Sequence, residues 1–467
     1  MKLTVAPKHI PEIDAQFLPA VLWNRAYRTL CAQTPGAAPI TLALTRPDGT
    51  ASCFHTVCLP HQEPAHIALN KIYLERIVKF LLWARGGNRF FLAGAHADLI
   101  APMLRDIYSH SGERAFDADF VRRLFDSDIE FRVVTSEEIP EEKTTHLPLG
   151  RNLDGYRIGF DLGGSDRKCA ALINGEVVFS EEVKWDPYFQ SDPQYHFDGI
   201  MDSLRLAAAH LPRVDAIGGS SAGVYINNTV RVASLFRGVT DPAVFEKKVK
   251  PMFLDIAKEW QVPFEVINDG DITALAGSMS MEKNAVLGIS MGTSVAAGYV
   301  DPQGRITNWL SELAFVPCDY RACGPVDEWS GDAGCAVQYF SQQGVARLLP
   351  LAGLHFPAKM SLPEQLESLQ SLMAQDNPRA RKVYEALGIC LGYFLAHVAE
   401  FYPYEHLLLM GRVTSGQGGD VLLGKARQVL TDEFPALNIN LVVPDEKSKR
   451  HGQAIAAASL PNLGSRD

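Results

Sequence analysis

The chain has 467 residues, 47% of them hydrophobic and 21% charged, an ordinary globular balance with length enough for two to four domains and a sizeable core. A formal net charge of −10 disfavours nucleic acid as the main partner, because a phosphate backbone needs a basic face. No apolar run reaches the roughly 18 residues of a membrane span. The opening MKLTVAPKHIPEIDAQF lacks the apolar core of a signal peptide. The eight cysteines are thinly spread and read as reduced thiols. A cytoplasmic location is therefore expected.

In chain order, ITLALTR and SCFHTVCL flank Pro47-Asp48-Gly49 and predict a hairpin over 40–59. A helix over 67–85 follows, with Ile77, Phe80, Leu81 and Ala84 on one stripe and Gly86-Gly87 as its stop. RFFLAGA (89–95) reads as a strand, 97–109 as a helix and IEFRVVT (129–135) as a strand. SEEIPEEKTTHLPLG is charged, proline-containing and expected to be structureless, which puts a domain boundary near residue 148. The first 148 residues then form a separate α/β unit with no catalytic motif. Structural support or oligomerisation is the expected role, and no helix-turn-helix pattern is present.

From Tyr156 the pattern is strand, Gly-rich turn, strand. YRIGFDLGGSDRKCAALI and NGEVVFSEEVKW meet at Asn174-Gly175, a hairpin turn. A helix (197–210), the strand DAIGGSS, a helix (242–260) and the strand FEVI lead to Asn268-Asp269. The second half repeats the theme. AVLGISMGTSVAAGYV turns at 301–304 and runs on to about Trp309. A long helix striped by Val383, Leu387, Leu391, Phe394 and Val398 feeds HLLLM, Gly411 and a helix from about Asp420. This duplication carries more information than either turn alone.

Four constellations carry chemistry. Glycines in the turn Asp161, Gly163, Gly164, Ser165 can expose N–H groups to phosphate oxygens, and Asp161 can orient a hydrated Mg²⁺. Arg167 and Lys168 could neutralise phosphate charge. Gly292, Thr293, Ser294 and Gly298 form a second such turn. Asp269, at a strand end after Asn268, can take a proton from an attacking hydroxyl. Gly411, after a buried strand, leaves room for a flat adenine face. Alone, each could be an ordinary turn or helix-entry loop, and for Gly292-Thr293-Ser294 the ordinary turn is the better reading.

Together DLGGSDRKCAAL, AIGGSSAGVY, VINDGDITALAG, ISMGTSVAAGYV and LLLMGRVTSGQGG resemble, in order and spacing, the ROK family (repressors, open reading frames, kinases) of the hexokinase–actin–Hsp70 superfamily. The resemblance covers residues 151–467. It implies an α/β class, an actin-like ATPase (ribonuclease H-like) duplicated two-lobed fold with an additional N-terminal α/β domain. The domains would be 1–148, a first lobe over 149–276 with 446–467, and a second lobe over 277–445. It also implies ATP and Mg²⁺, a sugar hydroxyl as phosphoryl acceptor, Asp269 as catalytic base, and Asn268 and Glu312 as sugar ligands. Asp161, Gly163, Gly164 and Ser165 would form the first phosphate turn, Gly292 and Thr293 the second, with Gly411 bordering adenosine. ATP and a small sugar are the partners; a homodimer stays open.

The departures matter. Phe315 stands where the family has a histidine, Ala314 and Val337 replace a glycine and a glutamate, Ala296 and Ala297 replace glycines of the second turn, and Arg412 a glycine of the adenosine motif. The sugar pocket is thereby altered, so a substrate apolar at that position is expected. Cys318, Cys323 and Cys335 lie where the family's zinc cysteines cluster, without the compact spacing or the histidine. Asp319, Asp327 or a water could complete four ligands, but plain thiols are the favoured reading. A non-catalytic sugar sensor is the alternative to a kinase; a repressor would lack its DNA-reading domain.

Overall fold

The structure, a computed structural model, describes residues 3–147, 149–442 and 446–463. The boundary expected at residue 148, the end of the second lobe at 443–445 and the last residues, 464–467, lie outside the described residues.

The N-terminal region runs α1 (Ala20–Gln33), β1 (Ala38–Thr45), β2 (Ala51–Cys58), α2 (Pro64–Arg85), β3 (Arg89–Gly94), α3 (Ala97–Ile107), α4 (Ala115–Phe125) and β4 (Glu130–Val133). Its sheet has the order β2-β1-β3-β4, with only β4 joined in parallel. The hairpin, α2, β3, α3 and β4 follow the sequence reading. Two helices do not appear in that reading. α1 follows Pro19 and α4 follows Arg114, and neither N-cap residue makes a side-chain cap. Neither therefore carries a strong start signal.

The segment after β4 is not structureless. A capping box between Thr135 and Glu138 closes one 3-10 turn, and Lys143 bridges to Ala51. β5 (His146–Leu147) pairs with Ile306 and Thr307. Charge and proline do not prevent edge pairing, which needs only two or three free main-chain groups.

The first lobe contains β6 (Tyr156–Leu162), β7 (Asp166–Ile173), β8 (Glu176–Lys184), α5 (Pro193–Ala208), β9 (Ala216–Ser221), a small hairpin of β10 (Val224–Ile226) and β11 (Thr229–Val232), α6 (Pro242–Val244), α7 (Met252–Trp260) and β12 (Phe264–Asn268). Asn174 and Gly175 both have positive φ (49° and 86°), the hairpin turn their sequence calls for. The single helix expected over 242–260 is broken into α6, a π-turn segment (Phe245–Val249) and α7. Pro251 lacks the N–H a continuous helix would use.

α8 (Asp269–Met281) crosses the boundary expected at residue 276; the second lobe goes on with β13 (Val286–Met291), β14 (Val295–Val300), β15 (Ile306–Thr307), α9 (Gln342–Leu351), α10 (Leu362–Ala374), α11 (Pro378–Val398), β16 (His406–Met410), α12 (Gly416–Glu433) and β17 (Asn440–Val442), and α13 (Glu446–Ala458) returns to the first lobe. α12 begins before the expected Asp420. Gly418 and Gly419 lie inside it, at positions where a Cβ would meet the Tyr384 ring and the Thr414 carbonyl.

The two sheets have matching orders, β12-β9-β6-β7-β8 and β17-β16-β13-β14-β15-β5. In each, an antiparallel meander joins two strands added in parallel. This is the duplicated actin-like architecture the sequence implied, with β5 as an extra edge. α13 approaches β6 and β9 closely, since a Cβ on Gly159 or Gly218 would strike the Ala454 or Ala457 carbonyl. Among the described residues no helix is long and apolar enough to cross a membrane.

The largest apolar cluster is continuous between the N-terminal region and the second lobe. It joins Trp23, Tyr27, Phe80 and Trp83 to Phe315, Tyr339, Leu391 and Phe401. Asp14, near the N-terminus, also bonds Arg321 (2.6 Å) and Arg347 (2.7 Å) of the second lobe.

Candidate active site

The ends of β6, β9 and β12 lie side by side, with Asp161 opposite Ser220, and Leu162 and Asn268 both opposite Ser221. Parallel strands place their carboxyl ends on one edge, where loops can assemble a site. Ser220 donates to Asp161 Oδ1 (2.5 Å), and Lys168 Nζ sits 3.5 Å from Asp161 Oδ2. Burial opposes the Lys168 charge, but Asp161 and Asp166 hold it above its ordinary range. Arg167 does not join it. Its guanidinium is buried against Asp202 (2.5 Å) and Ser203, so it ties down α5 and is not available for phosphate.

Asn268 is the N-cap of α8. Its Oδ1 accepts from the Gly270 N–H (2.7 Å), while its Nδ2 donates to the Gly223 carbonyl (2.7 Å). Asp269 is thereby the first residue of the helix. Burial pushes its carboxyl up to about 6, and the Asp161 charge adds to the shift. Glu312 is pushed up to about 8 by burial and by Asp269. A third carboxyl, Asp271, is held well above its usual range by burial, then by Asp269 and Glu312. The sequence reading missed Asp271, although a second Asp two residues after Asp269 was visible in Asn-Asp-Gly-Asp. The structure thus gathers Asp161, Asp269, Asp271 and Glu312 into one electrostatic neighbourhood.

The glycine turns are built as hairpins with spare donors. Gly163 N–H closes the first turn onto Asp166 O (2.9 Å), and Gly292 N–H the second onto Ser294 O (3.0 Å). Among the described residues the N–H groups of Gly164, Ser165 and Thr293 have no acceptor. The second turn abuts both neighbours. A Cβ on Gly411 (φ 98°) would lie 2.4 Å from Met291 O, and one on Gly270 would lie 2.1 Å from Ala297 O. Gly411 and the start of α8 therefore flank β13 and β14 at main-chain contact. At Gly164 a Cβ would meet the Tyr188 hydroxyl at 2.1 Å, so the glycine there admits Tyr188.

No family model and no curated protein matches the sequence. Solved structures do. A ROK family glucokinase from Streptomyces griseus, in complex with glucose and AMPPNP, superposes with a TM-score of 0.51 at 18% identity, over 65% of this chain and 98% of that one. A ROK hexokinase from Thermus thermophilus gives 0.51 at 16% identity, over 65% and 96%. A ROK family transcriptional regulator, a homologue of the E. coli Mlc protein, gives 0.51 at 20% identity, over 66% and 79%. Over 65–66% of its length the chain shares the fold of these structures. That fold is common to kinases and a regulator, so the chemistry rests on the residues of this site.

Cys318 and Cys335 are buried while Cys323 is exposed, and among the described residues no group of three His, Cys, Asp or Glu side chains could hold a metal. Burial raises Cys318 well above its usual range and Cys335 to about 11, which opposes the thiolates zinc requires. Asp319 is bound by Tyr339 and Arg321. These residues do not fit a zinc site.

Phe315, in the histidine's place, is 7% exposed. Its ring packs on Trp83 (4.4 Å), Trp329 (5.7 Å) and Phe116 (5.9 Å). The phenyl is thus a contact with the N-terminal region, not an apolar wall facing substrate. Phe315→His would place an imidazole among these rings without a partner. It should lower unfolding free energy by about 3 kcal/mol and should not restore use of an unmodified hexose. A denaturation midpoint equal to wild type would show that residue 315 is not packed in this cluster.

Proposed function

We propose that this chain transfers the γ-phosphoryl group of ATP to a hydroxyl of a sugar or sugar derivative. The observation that carries the reading is Asp269, the first residue of α8, with its carboxyl raised to about 6 beside Asp161 and Glu312. A base poised near neutral pH is suited to accept a hydroxyl proton. Glu312, protonated at neutral pH, can donate a hydrogen bond to an acceptor oxygen. The second Nδ2 hydrogen of Asn268 remains for another.

The donor set suits a magnesium nucleotide. Unused N–H groups at Gly164, Ser165 and Thr293 suit phosphate oxygens, and Asp161 offers a hard oxygen to a hydrated cation. Bound MgATP supplies the phosphoryl group and the cation that screens its charge. Lys168, already beside Asp161, adds positive charge at the same edge. Catalysis of this kind asks for positioning and charge stabilisation more than covalent chemistry. The reading adopts the domain scheme 1–148, 149–276 with 446–467, and 277–445, and a cytoplasmic setting.

ATP turnover against a panel of hexoses, amino sugars and polyols tests the reading. Turnover with at least one sugar, lost in an Asp269 variant, is expected. Sugar binding with no turnover anywhere in the panel would favour a sensor, the second reading, which the packing of Phe315 away from its expected place supports.

Gly164→Val tests the nucleotide half. The added branch must displace Tyr188, whose ring already stacks under Arg237 (4.0 Å). AMPPNP affinity, measured by calorimetry, should fall at least about tenfold, or about 1.4 kcal/mol. Unchanged affinity would mean the turn is only a hairpin.

A further inference from the structure

The helix end beside the acceptor loop gives the first 147 residues a task. The last four carbonyls of a helix have no partner within it. In α2 these belong to Leu82, Trp83, Ala84 and Arg85. Leu82 O accepts from Gly86 N–H (2.9 Å). The other three accept from the loop that carries Glu312: Leu310 N–H to Arg85 O (3.1 Å), Ser311 N–H to Ala84 O (2.9 Å) and Glu312 N–H to Trp83 O (3.0 Å). Ser311 sits at φ +52°, a conformation that a non-glycine residue holds only when its surroundings enforce it.

Side chains secure the same junction. Trp83 Nε1 donates to Asp117 of α4 (3.0 Å), fixing the indole that packs on Phe315. Gly86, at φ +73° and ψ 143°, lets α2 stop against the loop, because a Cβ there would lie 3.1 Å from Leu310 Cβ. α4 continues across to the first lobe, where Asp126 pairs with Arg231 of β11 (2.8 Å).

We infer that the N-terminal region is a positioning element for the acceptor loop: the C-terminal turn of α2 sets the main chain of Leu310–Glu312, and through it the Glu312 carboxyl. The inference rests on the kinase reading for its functional consequence, but the main-chain contact itself does not. Trp83, Gly86 and Phe116 are then positioning residues, and the acceptor, not the nucleotide, is what they affect. The loop arrives in a strained conformation with its glutamate aimed by a helix from another part of the chain. Small displacements there are expressive, since a shift of about 1 Å in a positioned group can cost on the order of a hundredfold in rate.

Gly86→Ala is the test, made in the full-length protein. It forces the α2 stop out of a glycine-only conformation and toward Leu310. The expected result is a rise of about tenfold or more in the KM for the sugar found in the panel, with the KM for ATP within about twofold of wild type. Hydrogen exchange at the Leu310, Ser311 and Glu312 amides should quicken in parallel. If Gly86→Ala does not accumulate folded, Trp83→Phe carries the same comparison. It keeps an aromatic ring and drops the bond to Asp117, and a rise of about threefold in sugar KM is expected. Unchanged amide exchange, or an unchanged sugar KM in an active folded variant, overturns the inference. Absence of turnover in wild type refutes the kinase reading instead, and the amide exchange alone then decides this one.

Discussion

Asp269→Asn should lower kcat by about 10²–10⁴-fold, the usual contribution of a positioned general base, while sugar affinity changes little. The amide keeps the shape of the side chain and loses the ability to hold a proton. The same substitution should raise stability at neutral pH. In the folded protein the carboxyl is raised from 3.8 to about 6, so the folded state holds its proton more tightly than the unfolded chain. Its contribution is favourable below about pH 4 and is lost as pH rises toward 6. At pH 7 the ionised Asp269 therefore costs stability, by up to about 2 kcal/mol after allowance for its partial exposure. An Asn variant that is inactive but melts at a higher temperature is the expected pair of results. Full turnover in that variant would remove Asp269 from the base role.

The pH–rate profile follows from the same neighbourhood. Activity should rise as Asp269 loses its proton near pH 6 and fall as Glu312 loses its own near pH 8. Glu312→Gln should keep the acidic limb and flatten the alkaline one. A profile whose alkaline limb survives that substitution would assign the limb to another group.

Much of this arrangement was legible because its signals are local. Asn174-Gly175 names its turn, and each glycine hairpin declares itself within a dozen residues. Asn268 caps a helix whose first residue is Asp269, so strand, cap and base are adjacent in sequence. The repeat of that pattern disclosed the two lobes. Contacts between distant segments were not legible. Phe315 read as a change in the sugar pocket because the register of a motif identifies a residue without saying what faces it. Its partners, Trp83 and Phe116, lie in the region that had no motif. Arg167 beside Lys168 read as a second phosphate cation, yet alternation along β7 turns it to the opposite face, onto α5. The linker before β6 read as structureless on composition, whereas its pairing partner, β15, lies far along the chain.

Lys79→Met should be the most destabilising single change in the N-terminal region. Lys79 is completely buried and bonds Asp117 (2.8 Å) on α4 and Asp332 (2.5 Å) in the second lobe. Arg114 binds Glu75 (2.6 Å) and the same Asp332, and Arg76 lies 3.5 Å from Glu75. Three cations thus meet three carboxylates at the junction of the N-terminal region with the second lobe. Such a cluster adds little over a well-packed apolar one, but removing one member strands the others. With methionine at 79, Asp117 keeps, among the described residues, the Trp83 indole N–H, and Asp332 keeps Arg114, both inside the protein. The loss should be about 3–5 kcal/mol. Adding Asp117→Asn should recover part of it, because the stranded charge is then gone. Urea denaturation of the two variants checks this, and a loss under about 1 kcal/mol for Lys79→Met would mean the carboxylates find other partners or water. The network also links stability to the site, since Asp117 holds the indole on which Phe315 packs. Lys79→Met should accordingly raise the sugar KM at temperatures where the protein is still folded, and Asp117→Asn should reverse part of that effect, since the amide oxygen still accepts from the indole N–H once the stranded charge is gone.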